Sequence, residues 1–392
     1  MAREFDVAVF GASGFTGKLV AEYLAQRDKT DPPRRWALAG RNLEKLAAVR
    51  AAAGAGADTP LLRADSDDLA SLAELARRSR VVLTTVGPYQ LYGASLVAAC
   101  AEAGTDYVDL CGEPLFMRAM IDAHDAKAKQ SGARIVFSCG FDSIPFDLGV
   151  AYLQAEAMRR FGAPCARVKG RVRKMKGTFS GGTAESFRAT MAAAAKDPRA
   201  LTLLRDPFAL TPGFSGPKQP SGAKPEYDEN LGTWSAPFLM AAINTRNVHR
   251  SNYLCGTPYG RDFIYDEMIL TGPGEKGEKI AQAIAADMNS MASDKGPKPG
   301  EGPSREERET GYYDLLFAGT GPKGERLHVG VQGDRDPGYG STSKMIGESA
   351  IALIEDCAGV PGGVTTPAAA FGVKFADRLA KRAGVTFTVE GA

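Results

Sequence analysis

The sequence predicts an α/β protein built on a doubly wound parallel sheet, joined to a second α+β domain whose sheet is mainly antiparallel. Three observations carry this. Phe5 to Val20 reads FDVAVFGASGFTGKLV: an apolar run, three glycines, then apolar residues at helical spacing. Short apolar runs then alternate with helical patterns through six strands over about 140 residues, the pattern of a parallel sheet covered on both faces. From Ala166 the pattern changes to period two, as in strands with one solvated side. With 392 residues the chain exceeds one core of ordinary size, so two or so domains are expected.

The first strand, Asp6 to Phe10, runs straight into Gly11, Gly14 and Gly17. Strand, glycine turn and helix in this order mark a Rossmann dinucleotide fingerprint, here spaced GxxGxxG. Gly11 permits the tight turn, Gly14 lets the backbone approach a pyrophosphate, and Gly17 lets the helix pack closely on the strand. The helix N-terminus offers N–H groups and partial positive charge to the phosphates. Ser13, Phe15 and Thr16 between the glycines belong to the same expected cofactor site.

The second strand, Trp36 to Ala39, ends in Gly40-Arg41-Asn42 with no carboxylate for ribose hydroxyls. A guanidinium there suits a phosphate bidentately, so Arg41 predicts NADP rather than NAD, unless it simply leads the helix Leu43 to Ala53. Asp65 follows the third strand, Pro60 to Ala64; it could accept from the adenine amino group or cap the helix Leu69 to Arg78. Capping is the expected role of Asp67 and Asp68. The fourth strand, Arg80 to Val86, ends in Gly87-Pro88-Tyr89. Ligands of such sheets lie beyond the strands' carboxyl ends, so Gly87 and Pro88 should pass the nicotinamide. Tyr89 could stack or donate a hydrogen bond there, or merely pack.

Helix Gly93 to Ala103, strand Asp106 to Cys111, helix Pro114 to Gln130 with proline in its first turn, and strand Arg134 to Ser138 complete the sheet. The turn GFDSIP follows at the same edge. Its Asp142 and Ser143 face the cofactor or cap the helix running on to Phe161. Together with Tyr89 they are the candidate catalytic residues.

Composition narrows the classes. There are 48 basic and 46 acidic residues, a net charge of +2, which gives no support for nucleic-acid binding. Six cysteines without a CxxC pair and three histidines argue against a metal site and suit reduced thiols in the cytoplasm. Val81 to Ala101 carries no charge, but Gly87, Pro88, Gln90 and Gly93 interrupt it, so no membrane span is assigned. His124 reads as an ordinary helix residue.

In the second half, Arg167, Lys169, Arg171 and Arg173 form one basic strand face, either solvated or a dock for an acidic or phosphorylated group. Gly181-Gly182-Thr183 opens a helix, Ala184 to Ala195. Leu210 to Pro237 reads as a lid, binding loop or disordered connection. Phe238 to Ser251 is helix-like and carries Arg246, His249 and Arg250. Strand Asp262 to Leu270, helix Glu275 to Met291, a charged loop Lys295 to Glu309 and a hairpin of Tyr312 to Ala318 with Arg326 to Val331 follow. The glycine-rich stretch from Gly333 to Thr342 again precedes a helix and could approach cofactor or substrate. The tail ends in a Pro/Gly loop and a short amphipathic helix.

GASGFTG, TTVGPY, YVDLCGE, GFDSIP and SGGT resemble the saccharopine dehydrogenase-like family of NADP-binding oxidoreductases. INTRNVHRSN, GDRDPGYGSTSKM and GGVTTPA are similar to its bacterial branch that includes trans-acting enoyl reductases. The resemblance implies a dinucleotide-binding Rossmann domain over 1–150, an inserted substrate domain over 151–334, and C-terminal helices over 335–392 returning to the first. It implies hydride transfer from NADPH to a carbon–carbon double bond of an acyl chain, which is free or carrier-protein bound. A homodimer is the candidate assembly. The alternatives are a saccharopine-type imine or amino-acid dehydrogenase, for which Arg246, Arg250 and Arg335 would converge, and a non-catalytic nucleotide-binding protein associated with lipid or membrane. An apolar pocket favours the enoyl reading, and an arginine-lined pocket the amino acid.

Overall fold

A computed structural model describes residues 3–177, 186, 188–190, 192, 197–288 and 302–391. Two seven-stranded sheets organise it. The first is parallel throughout, in the order β13-β6-β5-β4-β1-β2-β3. Its strands are β1 (Phe5–Phe10), β2 (Trp36–Gly40), β3 (Leu61–Arg63), β4 (Ser79–Thr84), β5 (Asp106–Val108), β6 (Arg134–Val136) and β13 (Gly363–Thr365). Every residue of β1 and β2 is buried, because helices cover both faces and leave no side for polar alternation. The order 3-2-1-4-5-6 places the switch point between β1 and β4, where the chain crosses from one half-sheet to the other.

The second sheet runs β14-β12-β11-β7-β10-β9-β8. It comprises β7 (Arg167–Lys176), β8 (Glu226–Asp228), β9 (Thr233–Pro237), β10 (Ile264–Gly272), β11 (Tyr312–Thr320), β12 (Arg326–Gly333) and β14 (Val385–Glu390). Only the β7–β10 pair is parallel. Helix Ile144–Phe161 joins the two sheets. A Cβ on its Gly149 would stand 2.3 Å from Phe317, so glycine is what lets this helix press onto β11.

Several expectations change. The basic face of β7 is paired rather than free: Arg171 is fully buried, and the half-buried Arg167, Lys169 and Arg173 each meet a carboxylate. Arg171 bonds Asp266 at 2.8 Å, Lys169 meets Asp228 at 2.8 Å, and Arg173 meets Asp314 at 2.6 Å and Glu390 at 2.7 Å. Neighbouring strands supply carboxylates at matching register, which a single strand's sequence cannot reveal. The presumed loop Leu210 to Pro237 contains the β8–β9 hairpin, and the presumed loop before β11 contains helix Arg305–Thr310, closed by a Ser304/Glu307 capping box. The tail is not helical throughout: β13 extends the first sheet and β14, with alternating VTFTVE, pairs with β12 in the second. Ahead of both in the chain, helix Thr342–Glu355 packs on helix Phe15–Arg27 and on β4. Gly181 to Thr183 and most of the helix expected after them lie outside the described residues. Among the described residues, no helix is long and apolar enough to cross a membrane, and no group of His, Cys, Asp or Glu could hold a metal ion.

Candidate active site

Three glycines build the turn after β1. Gly11 lies at φ +84°, where a side chain is strained, and a Cβ there would meet Val86 Cγ2 at 2.7 Å. A Cβ on Gly17 would stand 2.3 Å from the Gly11 carbonyl oxygen, so helix Phe15–Arg27 rests directly on the turn. Gly14 holds the N-cap position without a side-chain cap, which leaves the first-turn N–H groups without a partner from the cap.

A cleft of about 800 Å³ opens beyond this edge of the first sheet and is completed by the second half of the chain. Gly11, Ser13, Gly14, Phe15, Thr16, Arg41, Asp65 and Gly87 line it; Gly17 sits behind the turn and Pro88 is buried under the loop, both outside the lining. Arg41 is exposed at the end of β2, and its neighbour Asn42 caps the next helix by accepting from Lys45 N at 2.9 Å. The arginine is therefore released from capping. Asp68, not Asp67, caps helix Leu69–Arg78, whereas Asp65 accepts from Asp67 N at 3.2 Å.

The loop after β4 is held from below. Glu113, almost wholly buried, accepts from Tyr89 N and Gln90 N at 2.9 Å each. The Tyr89 hydroxyl accepts from Leu110 N at 3.1 Å and donates to the Thr84 carbonyl at 3.4 Å, and burial raises its pKa. Tyr89 thus pins two loops together through its hydroxyl. Ser143 is fully buried, makes no helix cap, and accepts from Asn247 Nδ2 at 2.8 Å; it does not line the cleft. Tyr89 lines the cleft with its hydroxyl so engaged. Asp142 lines it too and differs from both: its Oδ1 is buried without a hydrogen-bond partner among the described residues, and burial lifts its carboxyl from 3.8 to about 7.

Much of the remaining lining is apolar. Leu204, Leu239, Met240, Ile243, Leu110 and Tyr92 contribute to it, and Arg246 is the one arginine of the expected three that lines the cleft. Arg250 is buried elsewhere, bonded to the Leu210 and Val364 carbonyls, and Arg335 bonds the Asp334 carbonyl. His249 packs between Phe208 and Phe263, and burial, with Arg246 next to it, lowers its pKa to about 3. The glycine-rich stretch before helix Thr342–Glu355 does reach the site: Pro337, Gly338, Tyr339 and Thr342 line the cleft, and Tyr339 meets the Phe15 ring edge-on at 4.7 Å. Sequence reasoning missed Met240 and Ile243. Their signal is the three-residue step 240, 243, 246, one face of helix Ala241–Leu254 and the residue before it.

A parallel sheet of this order, a glycine turn against a helix N-terminus and a cleft spanning two sheets define a dinucleotide-dependent oxidoreductase. Residues 7–136 match the family described as the saccharopine dehydrogenase NADP binding domain. The chain is 42% identical over 404 residues, 96% of each chain, to a Mycobacterium tuberculosis protein provisionally named a trans-acting enoyl reductase. It is 38% identical over 405 residues, again 96% of each, to the trans-acting enoyl reductase of Mycobacterium ulcerans. Its fold is similar to that of yeast saccharopine dehydrogenase (L-Glu forming), with a TM-score of 0.57 and 10% identity over 98% of this chain and 99% of that one. The chain belongs to the saccharopine dehydrogenase-like family of NADP-binding oxidoreductases, in the branch of these mycobacterial relatives.

The residues present fit NADP. The turn leaves no room for a Cβ at Gly11 or Gly17, and the end of β2 carries Arg41 where NAD enzymes carry a carboxylate.

Proposed function

We propose that this protein reduces the carbon–carbon double bond of an α,β-unsaturated acyl thioester, with Asp142 as the proton donor. The observation that carries the reading is the apolar part of the cleft lining, Leu204, Leu239, Met240 and Ile243, in the same cleft as a carboxyl that burial lifts to about 7. The relatives' names support the same reaction type. Ser13, Gly14, Thr16 and Arg41 would hold the pyrophosphate and 2′-phosphate of NADPH, and Gly87 the nicotinamide end. Bound there, NADPH supplies the hydride for the β-carbon. The apolar wall excludes water and receives the acyl chain, and Asp142 delivers a proton to the α-carbon. A charged amino-acid substrate is disfavoured because Arg250 and Arg335 are committed to backbone carbonyls away from the cleft. We place the acyl group on a carrier protein or a small thiol, and the chain in the cytoplasm, where five buried free cysteines stay reduced.

The test is NADPH consumption with a 2-enoyl thioester and, in parallel, with an α-imino acid formed in situ. Turnover with the thioester alone is expected. Turnover with the imino acid alone would replace this reading with the amino-acid dehydrogenase.

A further inference from the structure

Arg246 is an unusual residue to find in the wall of an apolar cleft. It is 7% exposed and lines the cleft beside Met240, Ala242 and Ile243. Its two terminal nitrogens bond the carbonyls of Ala242 and Leu204, one within its own helix and one across the cleft wall. Its Nε is buried with no hydrogen-bond partner among the described residues. Among the described residues no carboxylate lies within ion-pair distance of it. Asp206 acts on it only from further away, and the neutral His249 is its other titratable neighbour. A buried guanidinium bonded only to neutral carbonyls keeps an uncompensated charge and spare donors, an arrangement that costs stability unless a ligand completes it.

We propose that Arg246 receives the carbonyl oxygen of the acyl substrate and stabilises the negative charge that develops on it during reduction. This rests on the enoyl reading above and adds the residue that bears the oxyanion. As the new C–H bond forms at the β-carbon, the π pair of the double bond moves to the bond between the α-carbon and the carbonyl carbon. The carbonyl π pair moves onto oxygen, next to the guanidinium. Protonation of the α-carbon from Asp142 then returns that pair and restores the carbonyl. NADPH and one proton are consumed, and NADP and the saturated thioester are formed. A fixed cation in a desolvated wall is worth most where charge appears only in the transition state. The same wall explains why a single arginine suffices: a carboxylate substrate would need its charge matched in the ground state, whereas a thioester acquires charge only as it reacts.

Two measurements test this with Arg246→Met, which keeps the packing volume, and Arg246→Lys, which keeps the charge. The first is turnover of a 2-enoyl thioester. The expected result is a fall of about a hundredfold in kcat for Arg246→Met with KM changed less than threefold, partial recovery in Arg246→Lys, and NADPH affinity unchanged in both. A loss confined to KM, or a kcat within threefold of the parent, overturns the proposal. The second measurement is independent of turnover: calorimetric titration of octanoate, a carboxylate standing in for the anionic oxygen, into the NADP-loaded protein. Saturable binding that weakens at least tenfold in Arg246→Met supports the site; equal binding by parent and variant, or none by the parent, overturns it. If octanoate binds through Arg246 while no enoyl thioester is turned over, the oxyanion site stands and the enoyl reading fails.

Discussion

The Glu113 carboxylate accepts a 2.7 Å hydrogen bond from the Ser186 hydroxyl, so the loop after β4 and a helical segment beyond β7 are tied across the same cleft. A second bond, from Gln90 Nε2 to Thr190 Oγ1 at 3.0 Å, lies beside it. One buried carboxylate therefore positions the loop after β4 and ties it to the segment beyond β7.

Removing it should be costly. Glu113→Ala leaves the N–H groups of Tyr89 and Gln90 unpaired and frees Ser186, which is expected to cost about 3 kcal/mol. Urea unfolding of the variant should show a lower midpoint, whereas Ser186→Ala, which removes one partner only, should cost about 1 kcal/mol.

Arg171→Met tests the ion ladder of the second sheet. The variant removes the guanidinium between Asp266 and Asp228 and leaves them with Arg167 and Lys169 as their remaining cations, so a loss of about 1.5–3 kcal/mol is expected by thermal or urea unfolding. An unchanged melting curve would show that the ladder carries no stability.

Arg41→Asp should weaken NADPH binding about thirtyfold while leaving NADH binding within a few-fold, because the proposed charged hydrogen bond to the 2′-phosphate would be lost and repulsion added. Nucleotide fluorescence titration reads both. Equal loss for the two nucleotides would assign Arg41 to the shared part of the cofactor.

The pH profile follows from Asp142. The proposed proton donor acts in its neutral form, and its carboxyl is raised to about 7, so kcat should fall as pH rises through 7. Asp142→Asn should lower kcat by about a hundredfold or more and remove that limb. The sign for stability is the same. Asp109 and Asp147 are also raised to about 7 by burial, so the folded chain binds more protons than the unfolded one between about pH 4 and 7. Each such group contributes stability present at low pH and lost at about 1.4 kcal/mol per pH unit on the way to 7.

The first half of the chain was legible because its signals are local. A buried parallel strand is an unbroken apolar run, and a glycine turn is fixed by spacing, so Gly11, Gly14, Ser13 and Arg41 could be placed on one cleft before any coordinates. The second half depends on long-range pairing. Arg171 reads as a surface residue until Asp266, ninety-odd positions on, is seen beside it. Tyr89 and Ser143 read as catalytic candidates because their position along the strand edges is right; only the hydrogen bonds to Leu110 and Asn247 show their hydroxyls engaged. The β8–β9 hairpin was hidden by its prolines and glycines, and β14 by its short alternation next to a helical pattern. Asp142 was legible as a candidate, but its raised pKa comes from burial by segments far away in sequence.

The proposed reaction delivers hydride to the β-carbon of an acyl double bond. The most direct measurement is single-turnover reduction of a crotonyl thioester with NADPH deuterated at the transferable position, followed by mass spectrometry and deuterium NMR of the acyl product. One deuterium is expected, at the β-carbon, with the α-carbon hydrogen drawn from solvent. Deuterium at the α-carbon, or an unchanged crotonyl group alongside NADPH-dependent reduction of an imine, would contradict it.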